Sequence, residues 1–357
     1  MMYGVIMAGG QGSRLRPLTL TRPKPMVEVL GRPVIDFVKD AMVEAGIDDL
    51  IVTTGYRGEQ LQKHVSAWPL QSMKTHSREI TARINQEDSP MGTAGSVRLL
   101  SDLLTETFVV GSGDSVASFD ISGLLAAHKQ SGAKVTMALW EVEDPSDFGI
   151  VGLSAEHNGE LDGDLREGYI SRFKEKPSPE EAFSNVINAG LYIIEPEVLA
   201  LMPLGEKFDF SKQLFPMVLE MNWPMYAKTI DGVWFDVGNP MELLNAQSTL
   251  VKRMKELPFP MPNGKVLPGN GFCMDDAVIL GDVVSSVISS NCFVEENVKI
   301  SNSLLMSGCK ISPDSIISNS VLGQNVVIGN GAKLDNVVIG DDVVIAAKMD
   351  ISDQRIP

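Results

Sequence analysis

The stretch M-A-G-G-Q-G-S-R-L-R-P-L-T-L-T-R-P-K-P-M, Met7 to Met26, follows directly on an apolar run, Tyr3-Gly4-Val5-Ile6, that reads as a short buried strand. A buried strand passing straight into Gly9-Gly10-Gln11-Gly12 lets backbone come close to a ligand, because glycine leaves no side chain in the way and tolerates positive φ. The N–H groups of such a loop can point at phosphate oxygens, helped by any helix N-terminus that follows. Spacing excludes two better-known glycine-rich motifs. A P-loop needs Lys directly after its last glycine and then Ser or Thr, whereas Gly12 is followed by Ser13 and Arg14; a dinucleotide fingerprint needs glycine where Leu15 stands. What remains is a loop carrying the cations Arg14, Arg16, Arg22 and Lys24, stiffened by Pro17, Pro23 and Pro25. Proline fixes its own φ and restricts the residue before it, so Lys24, between two prolines, is held in place. Rigid cations beside a glycine loop suit a polyphosphate whose charge they neutralise while it reacts. The bland alternative is a βα turn with a basic surface.

This stretch resembles the signature of the sugar-1-phosphate nucleotidylyltransferases, the nucleotide-diphospho-sugar pyrophosphorylases. The resemblance implies that Ala8, Gly9, Gly10, Gly12 and Ser13 wrap a nucleoside triphosphate. It implies that Arg14 and Lys24 stabilise charge on the α-phosphate and the leaving pyrophosphate.

Working outward, residues 33–45 carry apolar side chains at helical spacing with Gly46 as a C-terminal cap, and Asp49–Thr54 reads as a second buried strand ending at Gly55-Tyr56. A helix is expected over 57–67. Strand–helix alternation predicts a parallel α/β sheet, in which ligands bind beyond the carboxyl ends of strands. Another strand ends near Ile84-Asn85-Gln86-Glu87, before Met91-Gly92-Thr93-Ala94-Gly95-Ser96. On the residues alone that segment is equally a helix cap or a place where a flat group lies on backbone; the resemblance assigns Glu87, Gly92 and Thr93 to the nucleobase, with Ala8 and Gly9 alongside, and Gly95 is closer to the guanylyltransferases than to the thymidylyl or uridylyl branches. Thr107–Val110 leads through Gly111-Ser112-Gly113 to Asp114, where a turn cap is the stronger reading without the resemblance and a metal ligand with it. A helix over 121–131 and a strand over 134–140 precede Asp147-Phe148-Gly149-Ile150-Val151, and 154–169 looks like a hairpin excursion. Glu175-Lys176-Pro177 and Asn188-Ala189-Gly190 match family segments that hold the sugar and its phosphate, which brings in Gly149, Glu175, Lys176 and Asn188; an isolated Glu-Lys would be a surface ion pair. Phe208-Asp209-Phe210 reads as structural. Trp234-Phe235-Asp236-Val237-Gly238-Asn239-Pro240 supplies a second carboxylate, Asp236, which the resemblance pairs with Asp114 around Mg²⁺. The sequence departs from the family in Ser112-Gly113 and in Asn239, where the family has Thr.

A helical pattern over 242–256 and the Pro258–Gly264 linker end this region. Branched apolar residues then recur six apart, as Ile288, Val294, Ile300; Leu305, Ile311, Ile317; Leu322, Ile328, Leu334; and Ile339, Ile345, each set beginning seventeen after the last. That spacing predicts a parallel β-helix with three strands per coil; left-handedness is implied by the resemblance. Cys292, Cys309, Val326 and Val343 share one offset, so these cysteines read as core residues. The expected organisation is a Rossmann-like, mostly parallel α/β domain over 1–257, a linker over 258–267 and a hexapeptide-repeat domain over 268–357.

A chain of 357 residues with 30 Lys and Arg against 46 Asp and Glu, net −16, argues against nucleic-acid or anionic-membrane binding. No apolar run reaches the ~20 residues of a membrane span, no signal peptide is evident, and three cysteines fit a reducing compartment. A cytoplasmic protein is expected, forming a homo-oligomer through its β-helix. No Ser/His or Cys/His constellation accompanies the motifs, consistent with catalysis by positioning and charge neutralisation. The expected reaction joins GTP and mannose 1-phosphate into GDP-mannose; glucose 1-phosphate with UTP, dTTP or ATP is the alternative, and a non-catalytic sensor subunit is the rival from another class. A sugar acetyltransferase is disfavoured because all four histidines precede the repeats.

Overall fold

The structure is a computed structural model that describes residues 2–55, 58–256 and 262–357. Tyr56, Arg57 and the linker residues Pro258–Met261 lie outside the described residues. The chain divides into two compact units: 1–9 with 37–234, and 10–36 with 235–357.

The first unit is built on a nine-stranded sheet. Its strands are β1 (Tyr3–Met7), β2 (Asp49–Thr54), β3 (Thr81–Gln86), β4 (Phe108–Ser112), β5 (Val135–Glu141), β6 (Gly149–Ser154), β7 (Glu167–Glu175), β8 (Val186–Ile194) and β9 (Met225–Thr229), in the order β3-β2-β1-β4-β8-β5-β9-β7-β6. Strands β3, β2, β1 and β4 are parallel neighbours, as the alternating pattern predicts. Val5, Ile6, Ile51, Val52, Val109 and Val110 are all buried, the near-continuous apolar character that a sheet covered on both faces requires. In the other half β8 runs antiparallel to both β4 and β5, and β6 with β7 forms the hairpin whose excursion is 154–169.

Helix α1 (Ile35–Glu44) lies close enough to this sheet to dictate two glycines. A Cβ on Gly4 would meet Met42 Sδ at 2.8 Å, and one on Gly111 would meet Val38 Cγ2 at 2.5 Å. Helices α2 (Gly58–Ser66), α3 (Trp68–Thr75), α4 (Gly92–Arg98) and α5 (Ile121–Ser131) follow.

In the second unit, parallel two- and three-residue strands stack into three sheets, with the register Val287↔Leu304↔Val321↔Val338↔Arg355 repeating every seventeen residues. The hexad residues from Ile288 to Ile345 form a single buried core with Cys292, Cys309 and Val326. The corners repeat as well. Asn302, Asn319, Asn336 and Asp353, then Asn325 and Asp342, all take positive φ, where Asn and Asp are the residues that tolerate the left-handed region. Along these corners Asn302 Nδ2 donates to Asn319 Oδ1 (2.9 Å) and Asn325 Nδ2 to Asp342 Oδ1 (3.0 Å).

Burial pushes the Cys309 thiol above its ordinary range, with neighbouring Cys292 adding to the effect. Cys309 should therefore resist iodoacetamide at mildly alkaline pH while the protein is folded and react once it is unfolded. Mass spectrometry of the tryptic peptide reads both states, and prompt labelling of the folded protein would contradict the core placement.

Candidate active site

The glycine loop leaves β1 at Met7. Gly12 takes φ 62°, and a Cβ there would meet Lys24 Cβ at 2.9 Å and Thr19 Cγ2 at 3.0 Å, so it must be glycine for both conformation and space. Gly9 and Gly10 are different: both are exposed, neither has positive φ, and a Cβ on either would meet nothing within 4 Å. No internal contact demands glycine at these two positions. The turn after the loop is a 3-10 segment, Ser13–Leu15, and not an α-helix N-terminus. Thr19 closes the loop instead, its hydroxyl donating to the Gly12 carbonyl (2.7 Å).

The four cations of this loop part company. Lys24 is buried to 9% side-chain exposure and its Nζ lies 2.8 Å from Asp236 Oδ1. Arg14 is 59% exposed, with Nη2 at 3.8 Å from Asp236 Oδ2. Arg16 is exposed. Arg22 is buried against Asp341 at 2.5 Å and is not presented to a ligand, so its grouping with the phosphate-facing cations is corrected.

Asp236 is positioned by the helix that follows it, α6 in the second unit (Pro240–Lys252). Asn239 caps this helix, its Oδ1 accepting from the Met241 and Glu242 amides at 3.0 Å each. Glu242 Oε2 accepts in return from the Gly238 (2.9 Å) and Asn239 (3.0 Å) amides, a complete capping box with proline at its first position. This explains Asn in place of Thr, since either caps a helix. It also explains why the helix starts before the predicted 242. A Cβ on Gly238 would meet Glu242 Oε2 at 2.6 Å and both Arg14 Nη2 and Asp236 Oδ2 at 3.1 Å.

In the first unit, Glu87 Oε2 accepts from the Met91 amide (3.0 Å) at the entry to α4. Thr93 Oγ1 donates to Asp209 Oδ2 and accepts from the Phe210 amide, both at 3.0 Å. A Cβ on Gly92 would meet the Phe208 carbonyl oxygen at 2.4 Å, and one on Gly95 the Glu206 oxygen at 2.7 Å. The small residues of Gly92–Gly95 thus admit the 206–210 segment, and Asp209, within the stretch read as structural, organises the contact. It also accepts from the Ser211 (3.0 Å) and Lys212 (3.1 Å) amides, a helix-start pattern visible in Asp209-Phe210-Ser211.

Asp114 follows the end of β4, and Ser112 Oγ donates to its Oδ1 (2.6 Å), which gives the unusual Ser112 a role in holding the carboxylate. Gly149 and Glu175 are register partners at the mouth of the β6–β7 hairpin, where a Cβ on Gly149 would meet Glu175 Oε2 at 2.8 Å. Burial, and next the carboxylate of Asp209, push the Glu175 carboxyl above the ordinary glutamate range, against opposing pulls from Lys176 and Lys212. Lys176 takes φ 46°, its amide donating to the Phe148 carbonyl (2.9 Å). A lysine in that region costs about 1–3 kcal/mol, the kind of strain that collects at functional positions. Asn188 sits where the β5–β8 register slips; its Oδ1 accepts from the Gly190 amide (2.9 Å) and its Nδ2 donates to Tyr192 Oη (2.8 Å) and Ser211 Oγ (3.3 Å).

Among the described residues no group of three or more His, Cys, Asp or Glu side chains could hold a metal by itself. Two carboxylates, completed by substrate phosphates, are the usual protein share of a Mg²⁺ site.

Residues 3–253 match the Nucleotidyl transferase family, and residues 264–356 match the GMPPB C-terminal domain. The chain is 33% identical over 297 residues to the mannose-1-phosphate guanylyltransferase catalytic subunit beta of Danio rerio, covering 82% of this chain and 74% of the relative. It is 34% identical over 281 residues to the mannose-1-phosphate guanyltransferase of Debaryomyces hansenii (77% and 72% covered) and 33% over 275 residues to that of Saccharomyces cerevisiae (75% and 70%). Nucleotidyltransferases of this kind typically use a divalent metal. With one family match over residues 3–253 and a second over the parallel β-helix at 264–356, the chain belongs to the nucleotidyl transferase family.

Proposed function

We propose that the protein transfers the GMP moiety of GTP to mannose 1-phosphate, giving GDP-mannose and pyrophosphate. The observation that carries this reading is the Arg14–Asp236–Lys24 cluster on a loop whose Gly9 and Gly10 no internal contact requires. An oxygen of the sugar phosphate attacks the α-phosphorus in line and pyrophosphate leaves, a reaction that needs orientation and charge neutralisation rather than a protein nucleophile. Backbone from Ala8 to Ser13, with Gly9, Gly10 and Gly12, approaches the triphosphate. Arg14 and Lys24 offset the charge that develops on the α-phosphate and the leaving group. Glu87, Gly92 and Thr93 face the base; since Thr93 Oγ1 already bonds to Asp209 and Phe210, its contribution there is positional. Glu175, Gly149 and Asn188 serve the sugar, and Lys176 its phosphate. Asp114 and Asp236 would hold Mg²⁺, which when bound supplies further neutralisation of the phosphate oxygens.

In this reading 1–257 is the transferase portion, 258–267 a linker and 268–357 the repeat portion through which copies associate, in a cytoplasmic protein. Among the described residues no helix is long and apolar enough to cross a membrane.

Pyrophosphate release over a grid of nucleoside triphosphates and hexose 1-phosphates tests the reaction and its specificity together. The expected peak is GTP with mannose 1-phosphate. A peak elsewhere keeps the transfer and discards the substrates, and silence favours a sensor subunit.

Asp236→Asn should lower kcat by about a hundredfold while circular dichroism stays native, a loss typical of removing a charged group that organises a transition state. Near-normal turnover would remove Asp236 from the site. Glu175 makes a pH prediction. Its raised pKa means that the accepting anion is lost on acidification earlier than for an ordinary glutamate. The KM for mannose 1-phosphate should therefore climb as pH falls, beginning above the usual carboxylate range. Glu175→Gln should raise that KM at neutral pH and flatten the part of the profile that the wild type adds.

A further inference from the structure

We infer that the β-helix is a positioning element for the phosphate-facing loop, acting through Arg355 and Asp341; this rests on the reaction proposed above. Residues 10–36 belong to the same compact unit as the solenoid. The loop has little regular structure of its own, three short 3-10 turns at Ser13–Leu15, Leu18–Leu20 and Lys24–Met26. Beyond its own turns and the Thr19–Gly12 bond, it is gripped by the solenoid at three levels.

At the start of the loop, Arg355 Nη1 donates to the main-chain carbonyls of Arg14 (2.9 Å) and Arg16 (3.0 Å). In the middle, Asp341 Oδ2 accepts from Arg22 Nη2 (2.5 Å) and from the Thr21 hydroxyl, with both charged side chains buried. Asp341 Oδ1 is itself set by the Gln324 amide (2.7 Å). Toward the end, the Glu28 carboxylate accepts from Gln324 Nε2 (2.6 Å) and from the Ser307 hydroxyl (3.1 Å).

The consequence for chemistry is specific. Arg14 keeps its side chain 59% exposed while its carbonyl is fixed, and Lys24 is aimed at Asp236 two residues after the buried Arg22 anchor. An arginine fork suits two neighbouring carbonyls better than an ammonium does. Arg355 and Asp341 are therefore positioning residues: neither is placed on substrate, and both fix the backbone that carries the two cations.

Arg355 is exposed, so its removal leaves no buried group unpaired. In Arg355→Ala, kcat with GTP and mannose 1-phosphate should fall by about ten- to a hundredfold, the scale of a small misplacement at a reacting centre. The thermal midpoint and the KM for mannose 1-phosphate should stay at wild-type values, and trypsin should cut within 10–36 faster. Arg355→Lys, able to reach one carbonyl at a time, should recover part of kcat. Asp341→Asn, which keeps shape but removes the countercharge of Arg22, should show the same kinetic pattern together with a lower midpoint. Unchanged kcat and unchanged tryptic cleavage in Arg355→Ala, beside an active wild type, would overturn the positioning role alone. A kcat loss matched by a loss of thermal midpoint in that variant would also overturn it, while an inactive wild type would remove the reaction reading and this inference with it.

Discussion

The contact between Lys24 Nζ and Asp236 Oδ1, 2.8 Å long and 212 residues apart in sequence, is the constraint on which the second unit turns. Lys24 is nearly buried, and an ammonium removed from water is tolerated only with an opposite charge and good geometry. That requirement forces the proline-stiffened loop and the strand ending at Asp236 to meet. It also explains the supporting architecture: a capping box holds the helix after Asp236, and the solenoid holds the loop before Lys24. Each partner thus has its own scaffold in addition to the contact between them.

Much of this was legible in residue order. The hexads from Ile288 to Ile345 predicted the coil because a solenoid repeats its inward positions at fixed spacing, and all of them are in the core. The strand Asp49–Thr54 was legible for a related reason, since an apolar run of that length has few other places to go. The corner ladder was missed, although Asn302, Asn319 and Asn336 repeat with the same period as the apolar positions. Positive φ at a coil corner favours Asn and Asp, so a period search over polar residues would have found it.

The site was legible residue by residue where the motif is local and illegible where it depends on distant chain. Arg14 and Lys24 are singled out by the resemblance of the Met7–Met26 stretch to a known signature, not by spacing. Arg22 looks identical in sequence, four charged residues along one loop, yet its environment is set by Asp341, more than three hundred residues away. Asp209 behaves likewise: it holds Thr93, caps the helix start at Ser211 and raises Glu175, but nothing adjacent to it in sequence announces all three roles. Charge type is written in the sequence, whereas its partner is written in the fold.

The glycines make the same point with the sign reversed, because one residue type answers three different demands. Gly12 and Gly190 satisfy backbone conformation, with φ of 62° and 83°. Gly95 and Gly111 satisfy packing, since a Cβ on either would strike Glu206 or Val38, and Gly92, with φ 74° and Phe208 in the way of a Cβ, satisfies both. Gly9 and Gly10 satisfy neither, having ordinary φ and open space where a Cβ would point. In sequence the Gly92–Gly95 and Gly9–Gly10 segments are the same kind of signal, small residues beside a strand end. In the fold the first is filled by the protein's own chain and the second is open to solvent. A glycine that the protein does not need for itself is better evidence of a ligand than one it does, and Gly9 and Gly10 meet that criterion where Gly92 and Gly95 do not.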